Sequence, residues 1–110
     1  MDLIPHDLLE PVARRFKLLG EPVRLDLLNH LHTQGESSVQ QVVNATGHQQ
    51  ANVSKHLGAM ARENLLGRRK DGLYVYYRII DPTLSALCTL VSGQIRQELF
   101  AAREKQREGG

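Results

Sequence analysis

The sequence predicts a mainly α-helical domain carrying one small β-hairpin, with elements in the order ααααββα. Three observations support that class. Apolar residues recur at helical spacing through the first 64 positions. The period then shortens to that of strands on either side of Asp71-Gly72. A last apolar stripe, again at helical spacing, runs from Leu84 to Leu99. The 110 residues suit one domain spanning 1–110 and hardly leave room for a second.

The first helix is expected at about 5–19, on Leu8, Leu9, Val12, Phe16 and Leu19. Pro11 has no N–H to donate, so that helix either kinks or begins there. Gly20 supplies the stop. Pro22 opens the second helix, where its missing N–H costs nothing. The buried stripe of that helix is Val23, Leu27, Leu28 and Leu31, and Thr33-Gln34-Gly35-Glu36 breaks it. Ser37 or Ser38 caps a short third helix over Val39–Ala45. Gly47 makes a tight turn into a fourth helix at about Gln49–Asn64, with Val53, Leu57, Met60 and Ala61 inward. Two strands, Leu66–Lys70 and Tyr74–Ile79, flank Asp71-Gly72, a two-residue hairpin signal because Gly takes positive φ readily. Asp81-Pro82 opens a last helix at about 83–107. Its stripe of Leu84, Leu87, Cys88, Val91, Ile95 and Leu99 is longer than one small core requires. The charged C-terminal end closes in Gly109-Gly110.

The net charge of +2 is modest, but it is unevenly spread. From His48 to Arg78 the bases are Lys55, Arg62, Arg68, Arg69, Lys70 and Arg78, against two acids, Glu63 and Asp71. That stretch carries +4 and the remainder −2. Such a concentration is the electrostatic footprint of a polyanion-binding surface.

Two short helices joined by a glycine turn form the core of a helix-turn-helix. Val42 and Val43 are expected to pack on Val53 and Leu57 across Gly47. The outer face of the fourth helix is then Gln49, Gln50, Asn52, Lys55 and His56, with Ser54 near the edge. Gln and Asn can pair bidentately with adenine, and Ser, Lys and His can donate to phosphate oxygens. The same residues also make an ordinary polar solvent face. The hairpin shifts the balance. Arg68, Arg69 and Lys70 precede its turn and Arg78 lies on the return strand, where a wing beside the recognition helix would meet backbone or minor groove. The alternative is a charged edge that blocks aggregation.

Gly47-His48-Gln49-Gln50-Ala51-Asn52-Val53-Ser54-Lys55-His56-Leu57 resembles the recognition segment of the arsenic-repressor (ArsR/SmtB) family. Leu18-Leu19-Gly20-Glu21-Pro22-Val23-Arg24-Leu25 resembles the opening of its second helix. Arg68 to Arg78 is similar to its wing. The match covers about residues 6–95. The resemblance implies a winged helix-turn-helix, homodimeric through the first and last helices. It implies autoregulated repression at double-stranded operator DNA, relieved when an inducer binds or a residue is modified. Recognition roles carry over to Gln50, Asn52, Ser54, Lys55 and His56, and wing roles to Arg68, Arg69 and Lys70.

Metal sites known in that family are not expected here. One kind needs two cysteines on the third helix, and Glu36–Val42 contains none. Another needs Asp and His on the last helix, yet residues 82–110 hold no histidine and Asp81 stands alone. His30 and His32, two apart on a helix, point about 200° from each other. No metal and no cofactor is expected. Cys88, the single cysteine, is a small buried hydrophobe at a dimer face on one reading and a thiol sensor on the other. Ser92 occupies the position one turn on, which disfavours a local disulfide.

No nucleophile–base pattern or phosphate loop points to an enzyme. No signal peptide or membrane span is apparent, so the cytosol is the expected compartment. A winged-helix protein–protein adaptor is the rival from another class. It has no need of a basic wing.

Overall fold

The computed structural model describes residues 1–109, so Gly110, the end of the expected 1–110 domain, lies outside the described residues. A short 3₁₀ turn at His6–Leu8 leads into α1 (Leu9–Leu19). Then follow α2 (Pro22–Gln34), β1 (Ser37–Ser38), α3 (Val39–Thr46), α4 (Gln50–Arg62), β2 (Leu66–Asp71), β3 (Tyr74–Ile79) and α5 (Leu84–Gly109). The expected order holds with one addition, the strand β1.

Helix α1 begins two residues before Pro11 rather than at it. Pro11 sits in the first turn, where backbone N–H groups have no intrahelical acceptor, and is accommodated there. The break before α2 comes from Pro22, which disfavours helical backbone at the residue before it. Glu21 is accordingly extended, with φ −124° and ψ 126°. Helix α2 runs on through Thr33 and Gln34, and stops at Gly35, whose φ of 79° L side chains rarely adopt.

Ser38 caps α3. Its Oγ accepts from the Gln41 N–H at 3.1 Å, and the Gln41 side chain accepts from the Ser38 N–H at 2.8 Å. This reciprocal capping box satisfies two otherwise orphaned donors. The two serines also pair antiparallel with β3, Ser37 opposite Tyr77 and Ser38 opposite Tyr76. The sheet therefore has three strands in the order β1-β3-β2.

Helix α4 ends in a Schellman motif. Asn64 takes the left-handed conformation at φ 63°. Its N–H donates to Ala61 O at 3.1 Å, and the Leu65 N–H donates to Met60 O at 3.0 Å. That turn delivers the chain from α4 directly into the hairpin. Asp71 pairs with Tyr74, so the two-residue loop is Gly72-Leu73, one position later than expected. Positive φ at Gly72 alone (61°) matches a type II′ turn.

The core lies where α2, α3 and α4 meet the inner face of the sheet. Leu27, Val42, Val53, Leu57, Met60 and Leu65 are fully buried there, joined by Leu66, Tyr77 and Leu84. Val43 and Ala61 pack at its margin. Helix α5 contributes mainly its first turn. It has 26 residues and spans about 39 Å. Leu84 is buried and Leu87 and Cys88 are half-buried, but Val91, Ile95 and Leu99 are exposed. Phe16 on α1 is exposed as well.

One side chain ties the end helices to the turn that follows α4. Arg15 on α1 pairs with the Asp81 carboxylate and donates to Glu63 O, just past α4, at 3.1 Å. Asp81 also accepts from the Thr83 N–H at 2.8 Å and from its hydroxyl at 2.7 Å. These bonds hold its carboxyl below the usual value, the Thr83 hydroxyl contributing most.

Candidate nucleic-acid interface

The turn between α3 and α4 is set by Gly47, whose φ is 78° and whose N–H donates to Val43 O at 2.9 Å. Val42 on one side and Val53 and Leu57 on the other close the interior of the motif. The turn is further tied to α2 by His48, whose Nε2 lies 2.9 Å from an Asp26 carboxylate oxygen.

On the outside of α4, Gln50, Asn52, Ser54 and Lys55 are exposed, and Gln49 is exposed at the N-cap. Ser54 is exposed, near the edge of this face. Among the described residues none of these five side chains has a hydrogen-bond or ion-pair partner, and His56 is the one α4 side chain that does.

His56 departs from the expectation of an exposed contact residue. It is buried, and Arg24 Nε donates to its Nδ1 at 3.0 Å. Arg24 also donates to Leu18 O at 3.1 Å, and a Glu21 carboxylate oxygen lies 3.7 Å from both Arg24 and His56. Burial, reinforced by the Arg24 charge, pushes the His56 pKa down. Helical geometry contains the signal for this. At 100° per residue, His56 lies about 65° from the centre of the Val53, Leu57 and Met60 face, and Ser54 about 95°.

The hairpin divides its bases by strand alternation. Arg68 and Lys70 share the face of Leu66 and the buried Tyr77, and project beyond the core, exposed and without an ion-pair partner among the described residues. Arg69 and Arg78 lie on the opposite face. Arg69, expected to be free for DNA, donates to Glu36 through Nη2 at 2.7 Å and Nε at 3.2 Å. Its guanidinium carbon sits 4.6 Å from the Tyr76 ring centre. Arg78 reaches the same carboxylate at 3.8 Å.

His30 is engaged as well: its Nε2 lies 3.1 Å from Ser37 Oγ. Among the described residues no three His, Cys, Asp or Glu side chains are grouped to hold a metal. Cys88 borders an open apolar groove with Phe16, Leu28, Leu84, Leu87 and Val91.

The arrangement is a helix presenting free amides, a hydroxyl and a lysine, beside a two-stranded wing with free cations. That is the donor set and geometry for reading a duplex groove.

No family model matches the chain. The transcriptional repressor PagR of Bacillus anthracis is 32% identical over 84 residues, covering 76% of this chain and 84% of that protein. The crystal structure of AntR, an antimony-specific transcriptional repressor, superposes with a TM-score of 0.78 at 30% identity, over 89% of this chain and 88% of that one. A homodimeric winged helix-turn-helix DNA-binding domain from Mycobacterium bovis, described as a possible ArsR-family transcriptional regulator, gives a TM-score of 0.73 at 32% identity, over 90% and 94%. On this identity and coverage, the chain belongs to the ArsR/SmtB family of winged helix-turn-helix transcriptional regulators.

Proposed function

We propose that the chain is a homodimeric repressor that binds double-stranded operator DNA through α4 and the wing and is released by an inducer. The observation that carries this reading is the outer face of α4, where Gln50, Asn52, Ser54 and Lys55 are exposed and unengaged. Arg68 and Lys70 extend the same chemistry onto the hairpin. Asn52 and Gln50 read base edges, Ser54 and Lys55 position the helix on phosphates, and Gln49 presents its side chain at the helix N-terminus. His56 acts from behind the helix by holding its angle, and Arg69, on the far face of the wing, is held by Glu36.

The dimer is supported by the apolar residues that α1 and α5 leave uncovered, Phe16, Val91, Ile95 and Leu99 among them. The homodimeric Mycobacterium bovis domain has the same fold. In the dimer Cys88 serves as a small apolar packing residue. Among the described residues no helix is long and apolar enough to cross a membrane, which fits work on DNA in the cytosol.

The test is to select bound duplexes from a random pool, then measure affinity for the selected sequence from about 50 to 300 mM salt. A repressor loses affinity steeply, with a slope of about −0.9 per phosphate neutralised. An adaptor of the same fold shows no selected sequence and no slope.

A further inference from the structure

The basic wing is less basic than its sequence. Arg69, Arg78, Glu36 and Asp71 lie together on the outer side of the hairpin, and their formal charges cancel. The inner side carries Arg68 and Lys70, which have no ion-pair partner among the described residues. Strand alternation makes this division, and one residue from outside the hairpin completes it. Glu36 lies between α2 and β1, and strand pairing of β1 with β3 brings it against the wing.

We propose that Glu36 is a positioning residue that withholds the Arg69 and Arg78 guanidinium groups from DNA phosphates, and so limits binding to non-operator DNA. The proposal rests on the reading of the chain as a DNA-binding regulator. Arg69 is engaged on three sides. Glu36 takes two of its N–H groups at 2.7 and 3.2 Å, the Tyr76 ring lies under it at 4.6 Å, and Asp71 stands 3.6 Å away. A paired fork of this kind is the strong form of the arginine–carboxylate bond. A phosphate could take this guanidinium only by displacing the carboxylate. The hydrogen bond from Arg69 also holds the Glu36 carboxyl below its usual value, so the pair stays charged at neutral pH.

The functional consequence is discrimination. Phosphate contacts are made with any sequence and base contacts only with the right one. Two guanidinium groups held back lower the sequence-independent part of the affinity and leave α4 untouched. Released, they add to affinity for all DNA alike and dilute the advantage of the operator.

The experiment uses the full chain and two duplexes of equal length, one selected and one unrelated. Affinity for each is followed from about 50 to 300 mM salt. Glu36→Gln is expected to steepen the slope on unrelated DNA by about 0.9 for each guanidinium freed. For one such group, its affinity relative to wild type gains roughly eightfold for each tenfold fall in salt. Glu36→Asp, which keeps the charge, restores most of the wild-type slope. Adding Arg69→Ala to Glu36→Gln removes the increment due to that residue. In the otherwise wild-type chain, Arg69→Ala leaves the slope unchanged and Arg68→Ala lowers it by about 0.9. An unchanged slope in Glu36→Gln, with both duplexes bound more weakly, shows a merely structural role and overturns the proposal. So does a lower slope in Arg69→Ala alone, which decides the matter even if Glu36→Gln fails to fold. A wild-type chain that binds neither duplex overturns the DNA-binding reading itself, a separate outcome.

Discussion

Arg24 on α2 donates its Nε–H to Nδ1 of His56 on α4 across 3.0 Å. The recognition helix is thus bonded to the helix beneath it through a ring nitrogen that must carry no proton. The imidazole is neutral, with its hydrogen on Nε2. Protonation would place two donors face to face beside a fixed positive charge.

Stability should therefore fall as pH drops below the ordinary histidine value. Burial first, then Arg24, depresses the His56 pKa from 6.5, with smaller unfavourable contributions from Lys55 and His48 and an opposing one from Glu21. Above 6.5 the ring is neutral in both folded and unfolded chains and contributes no pH dependence. Below it the unfolded chain takes up a proton that the folded chain refuses, so stability rises with pH through this window and levels off below the folded pKa. Urea unfolding between pH 5 and 8 reads the slope. His56→Asn, whose amide oxygen can accept from Arg24 and does not titrate, should flatten that part of the curve. An identical slope in the variant would show that other groups govern it.

Gly47→Ala should cost about 1–2 kcal/mol. A Cβ at this position meets nothing within 4 Å, so space is not the difficulty. The cost is conformational, because φ is +78°. Gly47→Asn should lose distinctly less, since Asn tolerates the left-handed region. Chemical denaturation at fixed protomer concentration checks the pair. Equal losses for Ala and Asn would place the cause elsewhere.

The contrast between Gly47 and Glu36 shows what could be read from the chain in advance. The glycine turn, the stripe of Val53, Leu57 and Met60, and the period change at Leu65 are local signals, and the structure follows them. The strand β1 is two serines with no apolar pattern, and it exists only because Tyr76 and Tyr77 pair with it from the far side of the sequence. The hairpin loop moved by one residue because both Asp71-Gly72 and Gly72-Leu73 place the glycine in a two-residue turn, and the strand register decides between them. The state of Arg69 depends on a carboxylate 33 residues away. The burial of His56 was within reach of helical geometry, but its bond to Arg24 was not.

Substitutions on the outer face of α4 should separate positioning from reading. Lys55→Ala should weaken binding about equally on all sequences and reduce the salt slope by about 1. Asn52→Ala should cost about 1–3 kcal/mol on the selected operator, much less on unrelated DNA, and leave the slope in place. Both residues are exposed, so thermal unfolding should be nearly unchanged. Equal loss on both duplexes for Asn52→Ala would remove it from the base-reading set.

Cys88→Ser should leave operator release by peroxide or polysulfide unaltered. The thiol is half-buried in a mainly apolar groove with Leu84, Leu87 and Val91, where His32 and Arg96 are the basic lining residues. Among the described residues no ion pair sets positive charge on the sulfur, as a reactive thiolate requires. The expected effect is on packing, a loss of about 1 kcal/mol from placing a hydroxyl in an apolar site. If an oxidant dissociates wild-type protein from DNA and fails to dissociate the variant, Cys88 is a sensor and its role as a packing residue is overturned.

Ile95→Asp should convert the dimer to monomers. Ile95 is exposed on α5, on the stripe that Leu84, Leu87 and Val91 begin. A carboxylate there would have to be buried without a partner if two copies met on this face, and burying an unpaired charge is strongly unfavourable. In the monomer the same carboxylate remains in water, so the folded chain should keep its thermal transition when compared at matched concentration. Two half-sites bound by one dimer gain from the effective concentration of the second reading head, commonly 10²–10⁴-fold. Affinity for a full operator should therefore fall by about that factor, while affinity for a single half-site stays near the wild-type value. Sedimentation equilibrium gives the mass and titration of the two duplexes gives the ratio. A variant that remains dimeric would move the interface off this face of α5, and a monomeric variant with full operator affinity would separate dimerisation from DNA binding.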